Sequence, residues 1–270
     1  MEYFDIILWP LIATFVLTGI HVYLGLHVVM RGVIFVDLAL AQVAALGMAV
    51  GMLFHLDHHP RAMYFLALGF TFLGALLFSY TRSLNKRVPQ EAIIGITYVV
   101  STAAMMLVFS KSPEGPEHLN YLLIGSILFV TPNEVLMTFL LYATIGIFHW
   151  RFRRQFLLAS EDYSGKEPPL NTRLWDFLFY VTFGFVVTSS VKIAGVLLVF
   201  SFLIVPAAAA LLFVNSIVSR LIFGWTFGVA GSILGMIVSL TFDAPAGASI
   251  VVTFGLMLVI SWMFGKKRNS

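Results

Sequence analysis

Apolar residues run through this chain in blocks, and the polar residues collect between them. A helix needs about 20 apolar residues to cross a bilayer, with a range of about 17–25. Residues 6–30, 33–54, 62–80, 92–109, 135–150, 174–191, 193–214, 221–240 and 246–264 meet or approach that length. Residues 121–130 are apolar but far too short. They predict a re-entrant or partly inserted helix, tolerable only where protein buries it. The expected fold is all-α and polytopic, with about nine transmembrane helices (roughly 8–10) plus the short insert. The whole of residues 1–270 reads as a single transmembrane domain.

One block breaks its own pattern. Residues 31–51, RGVIFVDLALAQVAALGMAVG, are apolar enough for lipid, yet they hold Asp37 and Gln42 well inside. A charged side chain near a bilayer centre costs a few kcal/mol or more, so it faces protein or water. Ala39, Ala41, Ala44, Ala45, Gly47, Ala49 and Gly51 surround the two polar groups. Small residues at helical spacing let neighbouring helices approach closely. This block therefore reads as an inner helix that carries polar groups toward a pathway. Asp37 and Gln42 are five residues apart and diverge by about 140°, so one can face the pathway while the other bonds a neighbouring helix or an opposite subunit.

Composition sharpens the class. The chain is 60% hydrophobic and 11% charged, with mean hydropathy +0.95. A soluble domain carries roughly a quarter charged residues, so this chain has too few to cover a surface in water. Cysteine is absent, which excludes disulfides, thiolate metal sites and cysteine nucleophiles. The net charge of +3 sits in short runs at span ends, a poor match for nucleic acid. The acidic start, Met1 to Asp5, argues against a cleaved signal peptide, whose first region is positive.

Lysine and arginine collect on the cytoplasmic side of membranes. The main groups are Arg82, Lys86 and Arg87; then Arg151, Arg153, Arg154, Lys166 and Arg173; then Lys266, Lys267 and Arg268. An odd number of spans puts all three groups inside, with the N-terminus outside and the C-terminus inside. Arg31 and Arg220 fall on the same side, leaving Arg61, Lys111 and Lys192 outside. Trp150 and Trp175 flank the longest inside loop, where an aromatic belt is expected.

Other groups carry chemistry with a plainer reading beside it. His21 and His27, in the first span, point about 120° apart; they are either bundle histidines bonded to neighbours or substrate-path groups. The outside loop holds His55, Asp57, His58 and His59, ligand types that zinc, nickel or copper accept. A local cluster fixes no geometry, so a solvated loop fits it as well. The inside loop 151–173 contains an amphipathic piece, Phe156, Leu157 and Leu158 followed by Glu161 and Asp162. Such a piece docks a soluble partner through its apolar face or lies on anionic headgroups. Pro206, inside an apolar span, frees a backbone carbonyl and kinks the helix. Gly224, Gly228, Gly231 and Gly235 form a small-residue seam, and residues 242–249, FDAPAGAS, a tight outside turn.

Taken together, these stretches resemble the membrane permease subunit of bacterial zinc, manganese and iron ABC importers. The resemblance runs from about Gly19 to Phe264. Its most specific pieces are Gly195 to Val199 through Pro206 to Ala210, and Asp243-Ala-Pro245-Ala-Gly247 with the residues that follow. Residues 91–96, EAIIGI, and 122–128, LLIGSIL, also look like that family. The resemblance implies a homodimer, or a dimer of similar permeases, in the bacterial cytoplasmic (inner) membrane, two cytoplasmic ATPase subunits beneath it, and an extracytoplasmic metal-binding protein above. It also implies that the chain is no enzyme and binds no cofactor, with ATP held by the partner. In agreement, no Gly-xxxx-Gly-Lys-Ser/Thr loop occurs, so phosphates cannot be cradled in that way. The 151–173 loop is then the candidate ATPase-docking element.

The departure from the family pattern is local. Typical relatives carry an aspartate and, four residues later, a histidine in the second span, thought to hold the metal in transit. Those positions are Leu38 and Gln42 here, and the acid stands one residue early, at Asp37. Leucine cannot ligate, and an amide oxygen is a harder, weaker donor than imidazole. Either Asp37 joins ligands from another helix, with His21 and His27 as candidates, or the cargo is a metal chelate. An ion-coupled carrier or channel working without an ATPase is the alternative; it would show inverted repeats, which are not apparent. An intramembrane enzyme is disfavoured, because neither a Gly-x-Ser-x-Gly elbow nor a His-Glu-x-x-His pair is present.

Overall fold

The computed structural model describes residues 2–56, 59–84, 88–110, 125–160 and 172–266. Among them, α1 (Glu2–Arg31), α2 (Val36–Leu53), α3 (Pro60–Leu84) and α4 (Gln90–Phe109) come first. A 3-10 turn at Ile127–Phe129 precedes α5 (Pro132–Arg151) and the short α6 (Arg153–Ser160). Then follow α7 (Thr172–Phe213), α8 (Ile217–Phe242) and α9 (Ala246–Lys266). No strand occurs among the described residues. Seven of the helices are long and apolar enough to cross a membrane, or up to 8 if the bent pair α5–α6 is one span.

Two expected boundaries take a different form. The spans expected at 174–191 and 193–214 are the halves of α7, whose 42 residues would reach about 60 Å if straight. That is about twice the bilayer's hydrocarbon core. The break falls at Gly195 (φ 74°, ψ 161°) and not at Lys192. Only glycine adopts that backbone region without strain, so the chain breaks where the Cβ is missing, not where the charge sits. Of the short insert, residues 125–130 are described, and they form a single 3-10 turn. Ser126 N donates to Ile193 O at 3.3 Å, and Gly125 lies so close to the Ala194–Gly195 backbone that a Cβ there would collide.

The packing divides the chain into two compact units. The first comprises residues 1–29, 123–146 and 192–270. Its glycine seam serves two partners: Gly224 and Gly228 lie against Val22 and Thr18 of α1, while Gly231 and Gly235 lie against Phe254 and Ile250 of α9. Phe202, Phe227 and Phe254 fill the space around it. Asp243 closes α8 in the left-handed region (φ 51°), a conformation Asp tolerates better than most residues. Ala244 N donates to Ser239 O at 3.0 Å, and Ser249 N to Pro245 O at 3.0 Å, which starts α9 at once. Gly247 is buried in that first turn, and Pro206 is buried within α7.

The second unit comprises residues 30–122 and 147–191, and α2 is its centre. One stripe of α2 packs on α3, with Gly47 against Ala67 and Phe70, and Gly51 against Met63. The exchange is mutual, because Gly74 of α3 receives Leu40 and Val43. On another stripe Ala45 and Ala49 meet Met105 and Phe109 of α4. Small residues on α2 thus bring two neighbours close at once, as the sequence pattern required.

Gly195→Val should lower stability by about 1–3 kcal/mol, the range for a non-glycine residue forced into such a region. Gly95→Ala, where an added Cβ meets open space, should stay within about 1 kcal/mol of the parent. Thermal unfolding of both variants in detergent checks the contrast.

Candidate functional site

Asp37 stands in the first turn of α2 and is 1% exposed. Neither carboxylate oxygen has a hydrogen-bond partner. Gln42, one turn and a half further on, is 4% exposed, and its Oε1 is likewise unpartnered. By helical geometry Gln42 lies about 20° from Ala49, on the stripe that packs on α4, and Asp37 diverges from it by about 140°. A buried polar group without a partner is rare and asks for a reason, such as an ion or water it is built to receive. The two groups leave the helix on different faces, so each asks for its own partner.

The helix starts where it does because Gly32 (φ 66°) turns the chain after α1. Glu91, in the first turn of α4, accepts a hydrogen bond from Phe35 N at 3.0 Å, which ties the entry of α2 to α4. Asp37 therefore sits two residues past a fixed point.

The histidines of α1 belong to the first unit. His21 is fully buried, donates from Nδ1 to Leu17 O at 2.7 Å and meets Tyr142 edge-on at 6.0 Å. His27, 1% exposed, meets Tyr23 edge-on at 4.7 Å. Both are engaged in local packing. Among the described residues no three His, Asp or Glu side chains gather to hold a metal ion. His55 and His59 are exposed beside the end of α2, and His55 takes a left-handed conformation (φ 55°). Asp57 and His58 lie outside the described residues.

The amphipathic piece of the loop at 151–173 begins as α6, set at 81° to α5. Its apolar residues divide. Phe156 is fully buried, stacked on His149 at 3.9 Å and edge-on to Trp175 at 5.3 Å. Phe156 thus anchors the helix and takes no part in an outer docking face, a correction to its expected role. An aromatic ring this size gains more against other rings than at a wet surface. Leu157 is half-buried, while Leu158, Arg153 and Arg154 are exposed. Glu161 and Asp162 lie outside the described residues.

Sequence reasoning missed what holds α6 from behind. Asp176, near the start of α7, is 4% exposed. Its Oδ1 accepts from Arg31 Nη1 at 2.6 Å and also from Arg82 Nη1. Arg82 donates to Ala159 O at 2.6 Å, and Arg31 Nε to Ser160 Oγ at 3.0 Å. The Arg31 guanidinium lies over the Phe179 ring, 4.0 Å from its centre. One carboxylate thus joins the last residue of α1, the end of α3, the end of α6 and the start of α7. Nearby, Gln90 donates to Phe78 O at 2.8 Å and to the Tyr180 hydroxyl at 3.0 Å. The available signal was Asp176 itself, an acid inside the apolar run 174–191 of the same kind as Asp37. The structure also gathers Arg31, Arg82 and α6 at one end of this unit, as the charge distribution expects.

Over residues 3–265 the chain matches the ABC 3 transport family. The chain belongs to that family. It is 24% identical to a manganese transport system membrane protein, MntC, of Listeria monocytogenes over 254 residues, covering 91% of this chain and 86% of the relative. It is 24% identical to a manganese import system permease protein, ScaB, of Streptococcus parasanguinis, covering 91% and 85%. Among solved structures it resembles PsaBC from Streptococcus pneumoniae in complex with Fab. The TM-score is 0.77 at 26% identity, over 97% of this chain and 92% of that one. The match spans both units, so this ABC 3 chain is a multi-pass membrane permease, and permeases of this kind are not themselves enzymes.

Phe156→Ala should cost about 3–5 kcal/mol, the usual range for truncating a fully buried phenylalanine. Leu158→Ala, at the exposed face, should remain within about 0.5 kcal/mol. Thermal unfolding in detergent, followed by tryptophan fluorescence beside Trp175, separates the two.

Proposed function

We propose that this chain is the permease of an ATP-driven importer of a divalent transition metal or its chelate, two copies together forming one pathway. The observation that carries the reading is Asp37: a carboxylate inside an apolar bundle with both oxygens unpartnered. An acid so placed is expensive unless it meets a cation, and intramembrane acids mark ion pathways. Gln42 adds an amide oxygen on the same helix. Carboxylate and carbonyl oxygens suit manganese better than they suit zinc, which favours imidazole and thiolate. That preference agrees with the manganese named for MntC and ScaB.

In this reading the driving force comes from two cytoplasmic ABC ATPase subunits that hold the ATP. They dock on the inside loop 151–173, with Leu158, Arg153 and Arg154 as the exposed face, the half-buried Leu157 beside it and Phe156 as its anchor. An extracytoplasmic binding protein delivers the metal from the other side, with His55 and His59 near the entrance. The chain then sits in the bacterial cytoplasmic membrane, N-terminus outside and C-terminus inside, as the basic residues require. Closure of the ATPases on ATP biases the permease pair between outward-open and inward-open states, a two-state change biased by a ligand.

Two substitutions test the site. In a deletion strain carrying the variant permease, Asp37→Asn should abolish manganese accumulation and growth rescue while the protein level in the membrane persists. Uptake equal to the parent would remove Asp37 from the pathway. Gln42→His replaces an amide oxygen with an imidazole, and zinc should then compete with manganese uptake at lower concentration than in the parent. An unchanged zinc competition curve would place Gln42 away from the metal.

A further inference from the structure

Resting on the reading of α6 as the ATPase-docking helix, we propose that Asp176 is the positioning residue that passes movement of α6 to Asp37. Two chains of contact converge on its carboxylate. Toward α6, Arg82 reaches the Ala159 carbonyl and Arg31 reaches the Ser160 hydroxyl. Ser160 Oγ in turn donates to Phe156 O at 2.8 Å, so both arginines hold the last turn of α6 and not a frayed end. Toward the pathway, Arg31 is the final residue of α1, and Asp37 follows six positions later across the Gly32 turn.

The charges make this junction stiff. Arg31's side chain is fully buried, and Arg82's is 17% exposed. Two guanidiniums share one carboxylate oxygen, and Arg31 Nη2 has no hydrogen-bond partner. A buried guanidinium has no water to turn to, so it follows the carboxylate when α7 or α6 moves. The Phe179 ring beneath Arg31 and the Glu91 carboxylate on Phe35 N limit the directions open to it. A displacement of α6 then reaches the entry of α2 through Arg31 and the Gly32 turn, and the Glu91 bond to Phe35 N carries the start of α4 with it. Asp176 touches neither metal nor nucleotide; it acts through Arg31.

The test uses the permease purified with its ABC ATPase partner, reconstituted in vesicles with the binding protein and manganese. ATP hydrolysis, ATPase co-purification and manganese uptake are measured together. Asp176→Asn keeps the shape and can still accept hydrogen bonds, but it removes the charge. It should keep the ATPase bound and hydrolysing while manganese taken up per ATP falls about tenfold, within the usual range of coupling between sites. Asp176→Glu should restore part of that ratio. Ser160→Ala, a milder change, should lower the ratio in the same direction and guards against misfolding of the Asn variant. An unchanged ratio in Ser160→Ala and Asp176→Asn overturns the proposal. So does loss of ATPase binding in Asp176→Asn, because the network would then only shape the docking surface. If the parent chain binds no ATPase, or moves manganese without ATP, the function reading itself fails and takes this proposal with it.

Discussion

Lipid offers a polar group no hydrogen bond, and that constraint organises this molecule. Many polar side chains within the described spans turn back on the helix that carries them. Thr14, Thr18, Thr71, Ser190 and Ser232 each bond a carbonyl one turn earlier. His21 does the same. Against that background the Asp37 carboxylate and the Gln42 Oε1 stand out, because they are acceptors that the carbonyls of their own helix cannot serve. Their burial without partners is tolerable for a group whose partner arrives from elsewhere, and a cation in transit is such a partner.

The charged groups that are not in transit are treated differently. Arg31, Arg82 and Asp176 form one connected set, with a backbone carbonyl, a hydroxyl and an aromatic face completing it. Buried ion pairs contribute little net stability, because desolvation offsets attraction, but they fix geometry where they are well bonded. Here the geometry fixed is that of four helix ends at once. The same end carries α6, whose buried Phe156 holds it in place and whose Leu158, Arg153 and Arg154 are exposed. Asp37 and α6 therefore lie in the same unit, joined by a short path through α1's last residue.

Close packing supplies the rest. Glycine and alanine on α2 and α8 let backbones approach, and the neighbours fill the gaps with Phe70, Met63, Phe254 and Ile250. This is how helices associate without a hydrophobic drive between them. The break at Gly195 follows the same economy, since a missing Cβ permits both the turn of backbone and the approach of Gly125.

Much of this was legible along the chain. Block length and the scarcity of charge determined an all-helical membrane protein, since no other arrangement hides so much apolar surface. The small-residue stripes marked α2 as an inner helix, and Asp37 stood out as a candidate because an acid within an apolar block is costly. The folded chain decided what local pattern cannot contain. Whether Phe156 faced in or out depended on His149 and Trp175, and the role of Asp176 depended on two arginines far away in sequence. Charge counting placed those residues at the same end, but only packing could bring them onto one carboxylate. The position of the α7 break was decided by a backbone conformation open to Gly195 and closed to its neighbours, not by the lysine that seemed to mark it.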